Sequence, residues 1–346
     1  MRHTFFIIFL LFLGYSCQKE KITFGTNVSD VFYLDNANAS MRIIAEGNTL
    51  SRVFIVVVHG GPGESSYFYN TEYISNNLEN KYALVYWDQR NSGASQGNSN
   101  SQNLNLPQMT EDLKKVVQLI KGRYGQNSSV FILGHSFGGL LTSSFMTTDN
   151  YQSMVKGWII VDGSPNYPLN DTLTRQMLIT TGTQQIALNK HASDWNTILS
   201  YCNAHTGNFT VEESQQLESF AENAETYMDG VKKFDVVQLV KSNLFREDWP
   251  LTSLLVNYLY SSQSSFINEL YKTEFSSSMS KVQIPTLLLY GQYDFICPKE
   301  LGMDIYNRIT ATDKKMVISP ISGHNLMSQD EELFCTEVDH FIELHK

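Results

Sequence analysis

Positive charge is scarce in this chain. Its 346 residues include 25 Lys and Arg against 35 Asp and Glu, a formal net charge of −10. Nucleic-acid binding needs a basic surface that neutralises phosphates, so this balance excludes a nucleic-acid partner. Charged residues make up only 17% of the chain and hydrophobic residues 42%. A chain of this length and composition buries a sizeable core and is not disordered. Cysteine is also sparse. Cys17, Cys202, Cys297 and Cys335 form no Cys-x-x-Cys pair, and no two histidines are spaced to share a helix face with an acid. Neither a metal site nor a cofactor is therefore expected. No internal repeat or low-complexity tract is visible. Long apolar runs are lacking as well: Phe5 to Leu13 is unbroken for nine residues, far short of the roughly 20 that cross a bilayer as a helix.

What that short run does fit is a signal peptide. Met1-Arg2-His3 gives a basic start, the apolar run follows, and Gly14-Tyr15-Ser16-Cys17 closes it with small residues. The layout resembles a bacterial lipoprotein signal, with Gly14 where such signals usually carry Leu. It predicts a signal peptide over 1–16, lipidation of Cys17 as the new N-terminus, and a tether over 17–28. The protein would then be exported and lipid-anchored in the bacterial cell envelope, facing the periplasm or the surface. The alternative is ordinary cleavage, with Cys17 left as a free thiol. Removal of Cys17 from the pool leaves three cysteines, an odd number that forbids full pairing, and at least one is expected as a small buried hydrophobe.

Beyond the tether, strand and helix signals alternate. Asp30 to Leu34 and Met41 to Ala45 are short β-rich runs, and Val53 to Val58, Tyr82 to Trp87, Val130 to Leu133 and Trp158 to Val161 read as buried strands. Helical patterns fall between them, at Tyr73 to Leu78 and at Gln108 to Lys121 after Pro107, where Met109, Leu113, Val116, Val117 and Ile120 share one face. Strand character resumes at Thr286 to Tyr290 and Met316 to Ile318, and a last helix covers Glu331 to Leu344. This alternation predicts an α/β fold with a mostly parallel central sheet flanked by helices. The core would comprise 29–163 and 284–346. Between them, 164–283 shows helices and no strong strand, which predicts a helical cap. Its clearest helix, Val211 to Met228, sets Leu217, Phe220, Ala224 and Met228 on one face and Glu218, Glu222, Glu225 and Asp229 on the other. The acidic stripe reads most simply as a solvated face.

The residues that carry chemistry lie at strand ends. Gly134-His135-Ser136-Phe137-Gly138-Gly139 follows one strand and precedes a helix. This is the setting of a nucleophile elbow, a strained turn that needs glycine on both sides of the Ser; a plain glycine-rich turn is the alternative. His59-Gly60-Gly61-Pro62-Gly63 follows the third strand, where such a fold draws one of its oxyanion donors. Gly61 and Phe137 amides are thus the expected oxyanion hole, and His59, at the root of the loop, a loop-holding residue. In this fold the acid and base come after the Ser, in that order. His324, in Ser322-Gly323-His324-Asn325, is the one histidine in a loop after the last strand. Asp294, in Gly291-Gln292-Tyr293-Asp294, follows the preceding strand. Ser136, Asp294 and His324 are the expected catalytic triad, with Asp162 as the other candidate acid.

These motifs together resemble the proline iminopeptidase group of α/β-hydrolases, serine aminopeptidases that release N-terminal residues. The loop His59 to Gly63 matches that group's oxyanion loop. Asp88 to Ser95 is similar to its Asp-Gln-Arg-Gly-x-Gly-x-Ser segment, with Asn91 for the first Gly. The elbow departs from it: proline-specific members usually read Gly-Gly-Ser-Trp-Gly, whereas His135 and Phe137 stand here, as in many lipases and esterases. The resemblance implies the α/β-hydrolase fold, a cap whose carboxylates bind a free amine, and a small-molecule or short-peptide substrate. Three readings stay open: an aminopeptidase on short peptides or aminoacyl amides; an esterase or lipase on apolar acyl groups, which Trp249 to Tyr260 would suit; and a non-catalytic binding lipoprotein.

Overall fold

The computed structural model describes residues 22, 24–95, 101–233 and 264–346. The signal peptide 1–16, Cys17, most of the tether, and Trp249 to Tyr260 lie outside the described residues. No helix among the described residues is long and apolar enough to cross a membrane.

Eight strands form one sheet: β1 (Val28–Asn36), β2 (Ala39–Gly47), β3 (Val53–Val58), β4 (Ala83–Trp87), β5 (Ser129–His135), β6 (Gly157–Val161), β7 (Thr286–Gly291) and β8 (Lys314–Ser319). Their order is β1-β2-β4-β3-β5-β6-β7-β8. β1 pairs with β2 and β2 with β4 antiparallel, and all other pairs are parallel. Apolar composition explains the middle strands, for every residue of β3, β4, β6 and β7 is buried, as a parallel sheet covered on both faces requires. β1 and β2 run longer than the sequence signal, from Val28 and to Gly47. Their two-residue turn puts Ala37 and Asn38 at φ 45° and 59°, the left-handed pair that a tight hairpin needs.

Helices cover both faces. On one lie α1 (Leu106–Tyr124), α2 (Phe137–Thr147) and, further along, α7 (Lys299–Arg308); on the other lies α8 (Glu331–His345). α1 begins two residues earlier than its apolar pattern because Asn105 caps it, accepting from Gln108 N at 2.9 Å, a contact of about 1 kcal/mol. The predicted helix over Tyr73 to Leu78 is instead one α turn, Glu72–Ile74, running into a π turn, Ser75–Glu79. Buried Glu79 ties that turn down, accepting from Ser75 Oγ, Asn70 Nδ2 and Tyr86 OH.

Between β6 and β7 the described cap residues form α3 (Tyr167–Ala187), α4 (Ala192–Ala204), α5 (Val211–Thr226) and α6 (Ser264–Leu270). One isolated bridge, Asn166 to Glu274, joins the two ends of the insertion. α5 opens on a capping box, Thr210 with Glu213, and ends at Thr226, short of the predicted Met228. Leu217, Ala221 and Ala224 of α5 pack with Leu178, Trp195 and Ile198 into a separate cluster, joined by Phe295 from the segment after β7.

Candidate active site

The elbow after β5 is strained and glycine-dependent. Ser136 sits at φ 53°, ψ −122°, a costly backbone for a residue with a side chain. A Cβ at Gly138 would lie 2.0 Å from Val58 O, and one at Gly134 would lie 2.5 Å from Gly138 O. Only glycine lets the turn close this tightly against β3. α2 starts directly after Ser136, so its positive N-terminal end faces the Ser.

Three strand ends bring the predicted triad residues together. His324, in the loop after β8, places Nε2 2.9 Å from Ser136 Oγ and donates from Nδ1 to Asp294 Oδ2 at 3.0 Å. Asp294, fully buried after β7, accepts through its other oxygen from Ile296 N (2.9 Å) and Cys297 N (2.7 Å). Burial alone would push the His324 imidazole down, but Asp294, with Asp162 and Glu225 behind it, holds it above its ordinary value. Asp162 does not bond His324. It accepts from Gly291 N (2.8 Å) and Leu326 N (3.1 Å) and so braces the two loops that carry Asp294 and His324. Burial and the Asp294 charge push its carboxyl well up.

Gly61 and Phe137 line one small chamber with Ser136. Gly61 is held at φ 102°, where a side chain would be strained. His59 is fully buried at the root of the loop: Nε2 accepts from Gln89 N (3.1 Å), which leaves Nδ1 to donate to Gly60 O (2.8 Å). The segment Asp88 to Ser95 is a brace of the same loop. Asp88 accepts from Ser65 Oγ, Ser66 N and Ala94 N, and Arg90 pairs with fully buried Asp112 at 2.6 Å.

Two chambers meet at Ser136. The inner one, of about 30 Å³, includes Asp171 and Glu218 of the cap; it holds roughly one or two water-sized groups. The outer one, of about 720 Å³, is walled by Phe68, Ile74, Met228 and Met327 and carries Glu64, Glu222 and Glu225. The solvated-face reading of the acidic stripe is corrected in part: Glu225 is half-buried against the His324 loop, Glu218 and Glu222 line the chambers yet stay exposed to solvent, and Asp229, beyond the end of α5, lies outward against Lys190. The cap's own core takes the apolar face of α5 and leaves its acidic face toward the chambers and solvent. Burial pushes the Asp171 carboxyl up to about 6 against the Ser214 bond, and raises Glu64, Glu218 and Glu225 as well.

Other groups here carry no sequence signal of their role. His135 donates from Nε2 to His324 O (2.8 Å) and faces Tyr69 OH with Nδ1 (2.7 Å). Burial, then the neighbouring His324, lowers it to about 3, so it stays neutral. Glu64 follows the glycine loop and reaches the outer chamber. Cys202, Cys297 and Cys335 are free and buried. Asp294, Cys297 and His324 offer ligand atoms within 4.8 Å of one another. The acid and imidazole already bond each other, however, and burial holds the Cys297 thiol well above its usual range, away from the thiolate that binds metals.

The α/β-hydrolase fold family model matches residues 53–331. The chain is 21% identical over 317 residues to the probable aminopeptidase YbaC of Bacillus subtilis, covering 90% of this chain and 96% of that protein. It is 22% identical over 346 residues to a proline iminopeptidase of Saccharolobus solfataricus, covering 97% and 96%. Among solved structures, an esterase from Exiguobacterium antarcticum superposes with a TM-score of 0.56 at 17% identity, covering 88% of this chain and 96% of the other.

Proposed function

The chain belongs to the α/β-hydrolase fold family and is a hydrolase; from that premise we propose a serine aminopeptidase, proline iminopeptidase-like, acting on short peptides or aminoacyl amides with a free N-terminus. His324 takes the Ser136 proton as Oγ attacks the scissile carbonyl. Asp294 holds the imidazole in the tautomer with its proton on Nδ1 and stabilises the imidazolium. The Gly61 and Phe137 amides receive the oxyanion, the leaving amine takes the proton back from His324, and water hydrolyses the acyl-enzyme.

The observation that carries the amine reading is the inner chamber. Asp171 and Glu218 lie in it beside Ser136, each with one oxygen bonded, to Ser214 Oγ (2.6 Å) and Tyr271 OH (2.9 Å). An ammonium is a water-sized cation; entering there, it would meet carboxylates whose ionisation burial otherwise opposes. The relatives named as aminopeptidases agree with this choice. The apolar wall of the outer chamber favours the second reading, an esterase or lipase on apolar acyl groups.

The two separate in a paired assay on one aminoacyl amide, with its α-amine free and then acetylated. Aminopeptidase action predicts rejection of the acetylated form by about 10² or more, since the buried Asp171 carboxylate would be left without its cation. Equal rates, or activity on acyl esters alone, would select the esterase. Export and anchoring at Cys17 rest on the N-terminal sequence. Globomycin should make an unprocessed precursor accumulate and Cys17→Ala should abolish lipid labelling; normal processing under both would mean an ordinary signal peptide.

A further inference from the structure

The base is held by its backbone as well as by Asp294. His324 N–H donates to Glu225 Oε2 at 2.9 Å, and Gly323 N–H donates to Gln329 Oε1 at 2.8 Å. Gln329 Nε2 in turn donates to Glu225 Oε1 at 2.9 Å. Three of these groups belong to the loop after β8 or the turn beyond it; Glu225 alone comes from the cap, on α5. A second observation makes the contact specific. A Cβ at residue 323 would lie 2.0 Å from Glu225 Cδ and 2.2 Å from both carboxylate oxygens. The cap carboxylate thus occupies the place of a side chain beside the base, and glycine at 323 leaves room for it.

We propose that Glu225 is a positioning residue, through which the cap holds the catalytic base by its backbone. This rests on His324 being the base, not on the identity of the substrate. Both Glu225 oxygens are committed to the loop, so the carboxylate is not an anchor for the substrate's amine; Asp171 and Glu218 keep that role. Hydrogen bonds to an ionised acceptor are about twice as strong as neutral ones. They fix the ring that must reach Ser136 Oγ, where a misplacement of about 1 Å costs roughly 10² in rate. Glu225 also adds charge beside the imidazole. The other titratable groups facing His324 are Asp294 after β7, Asp162 at the end of β6, Glu64 after β3, His135 on β5 and Glu218 on α5. Those facing Glu225 are Asp294 and His324.

The test uses the full chain and p-nitrophenyl acetate, a substrate with no amine. Glu225→Gln keeps the shape but presents an NH₂ to one of two donors and removes the charge. The expected result is a fall in kcat of roughly 10–100-fold with KM within about twofold, and the same fall on a free-amine substrate. The acid limb of kcat/KM against pH should also move to lower pH, because an imidazolium with one fewer negative neighbour loses its proton more readily. Gln329→Met, which cuts the link but leaves the charge, should lower kcat by less and leave the limb in place; it also serves if Glu225→Gln fails to fold. Unchanged kcat on the ester with a raised KM for the free-amine substrate would make Glu225 a substrate anchor and overturn the proposal. A lower kcat with an unmoved limb in Glu225→Gln, or a limb that moves equally in Gln329→Met, would reduce it to general structural support and overturn it as well. Failure of the serine mechanism would show separately, as a wild-type protein that neither hydrolyses the ester nor reacts with a fluorophosphonate.

Discussion

The floor and the roof of the site are built on opposite plans. On the floor, Ser136, His324 and Asp294 stand at the ends of β5, β8 and β7, and each polar atom that matters has a near partner at 2.7–3.0 Å. On the roof, acids of α3 and α5 line the inner chamber, and Asp171 and Glu218 each spend one oxygen on a neighbour. A closed network suits one chemistry, whereas carboxylates with an oxygen left unbonded suit the cation of the proposed substrate. On the proposed reading, the reaction belongs to the sheet and the choice of substrate to the cap, and each half of that proposal can be broken separately.

The largest effect should come from the floor. Ser136→Ala should lower kcat by roughly 10⁶ on every substrate, amine or ester, and abolish fluorophosphonate labelling. A loss confined to free-amine substrates would put recognition, not chemistry, at Ser136. Next, Asp294→Asn should lower kcat by roughly 10⁴, because the amide favours the wrong His324 tautomer, with little change in melting temperature. Asp162→Asn should behave in the opposite way. It sets an NH₂ against either Gly291 N or Leu326 N, so about 1–3 kcal/mol of stability is lost and the loss in kcat is far smaller. Exchange of the two outcomes would make Asp162 the acid. The smallest effect is in pH. His324 must be neutral to act as base, and its surroundings hold its pKa above the ordinary 6.5. kcat/KM should therefore rise with pH through a limb above 6.5 and be suppressed below it; a limb below 6.5 would mean that burial outweighs Asp294.

The floor was legible in the sequence because its determinants are local. Gly134 to Gly139 carries its own strand, turn and helix, and His59 to Gly63 follows an unmistakable apolar strand, so order along the chain suffices to select Asp294 and His324 as candidates. The cap was legible only as helices. Amphipathicity separates the acids of α5 from Leu217 and Ala224 but cannot tell water from a chamber as the medium beyond the polar face. That depends on a cluster built with Leu178, Trp195 and Ile198, from helices whose packing no periodicity encodes. The roles of His135, Tyr69 and Glu225 were missed for a related reason: the partners that give them those roles lie 66 to 189 positions away. The π turn at Ser75–Glu79 also escaped, since it follows from bonds to Asn70 and Tyr86 and not from propensity.

The division between floor and roof is tested most directly by removing the charge of the inner chamber. In an Asp171→Asn, Glu218→Gln double variant, kcat/KM should be measured on one aminoacyl amide with its amine free and acetylated, and on p-nitrophenyl acetate. The account predicts that the preference for the free amine, about 10² or more in wild type, collapses toward one while ester hydrolysis stays within a few fold. A preference that survives the double variant, or ester hydrolysis that falls with it, would contradict the assignment of substrate choice to the cap.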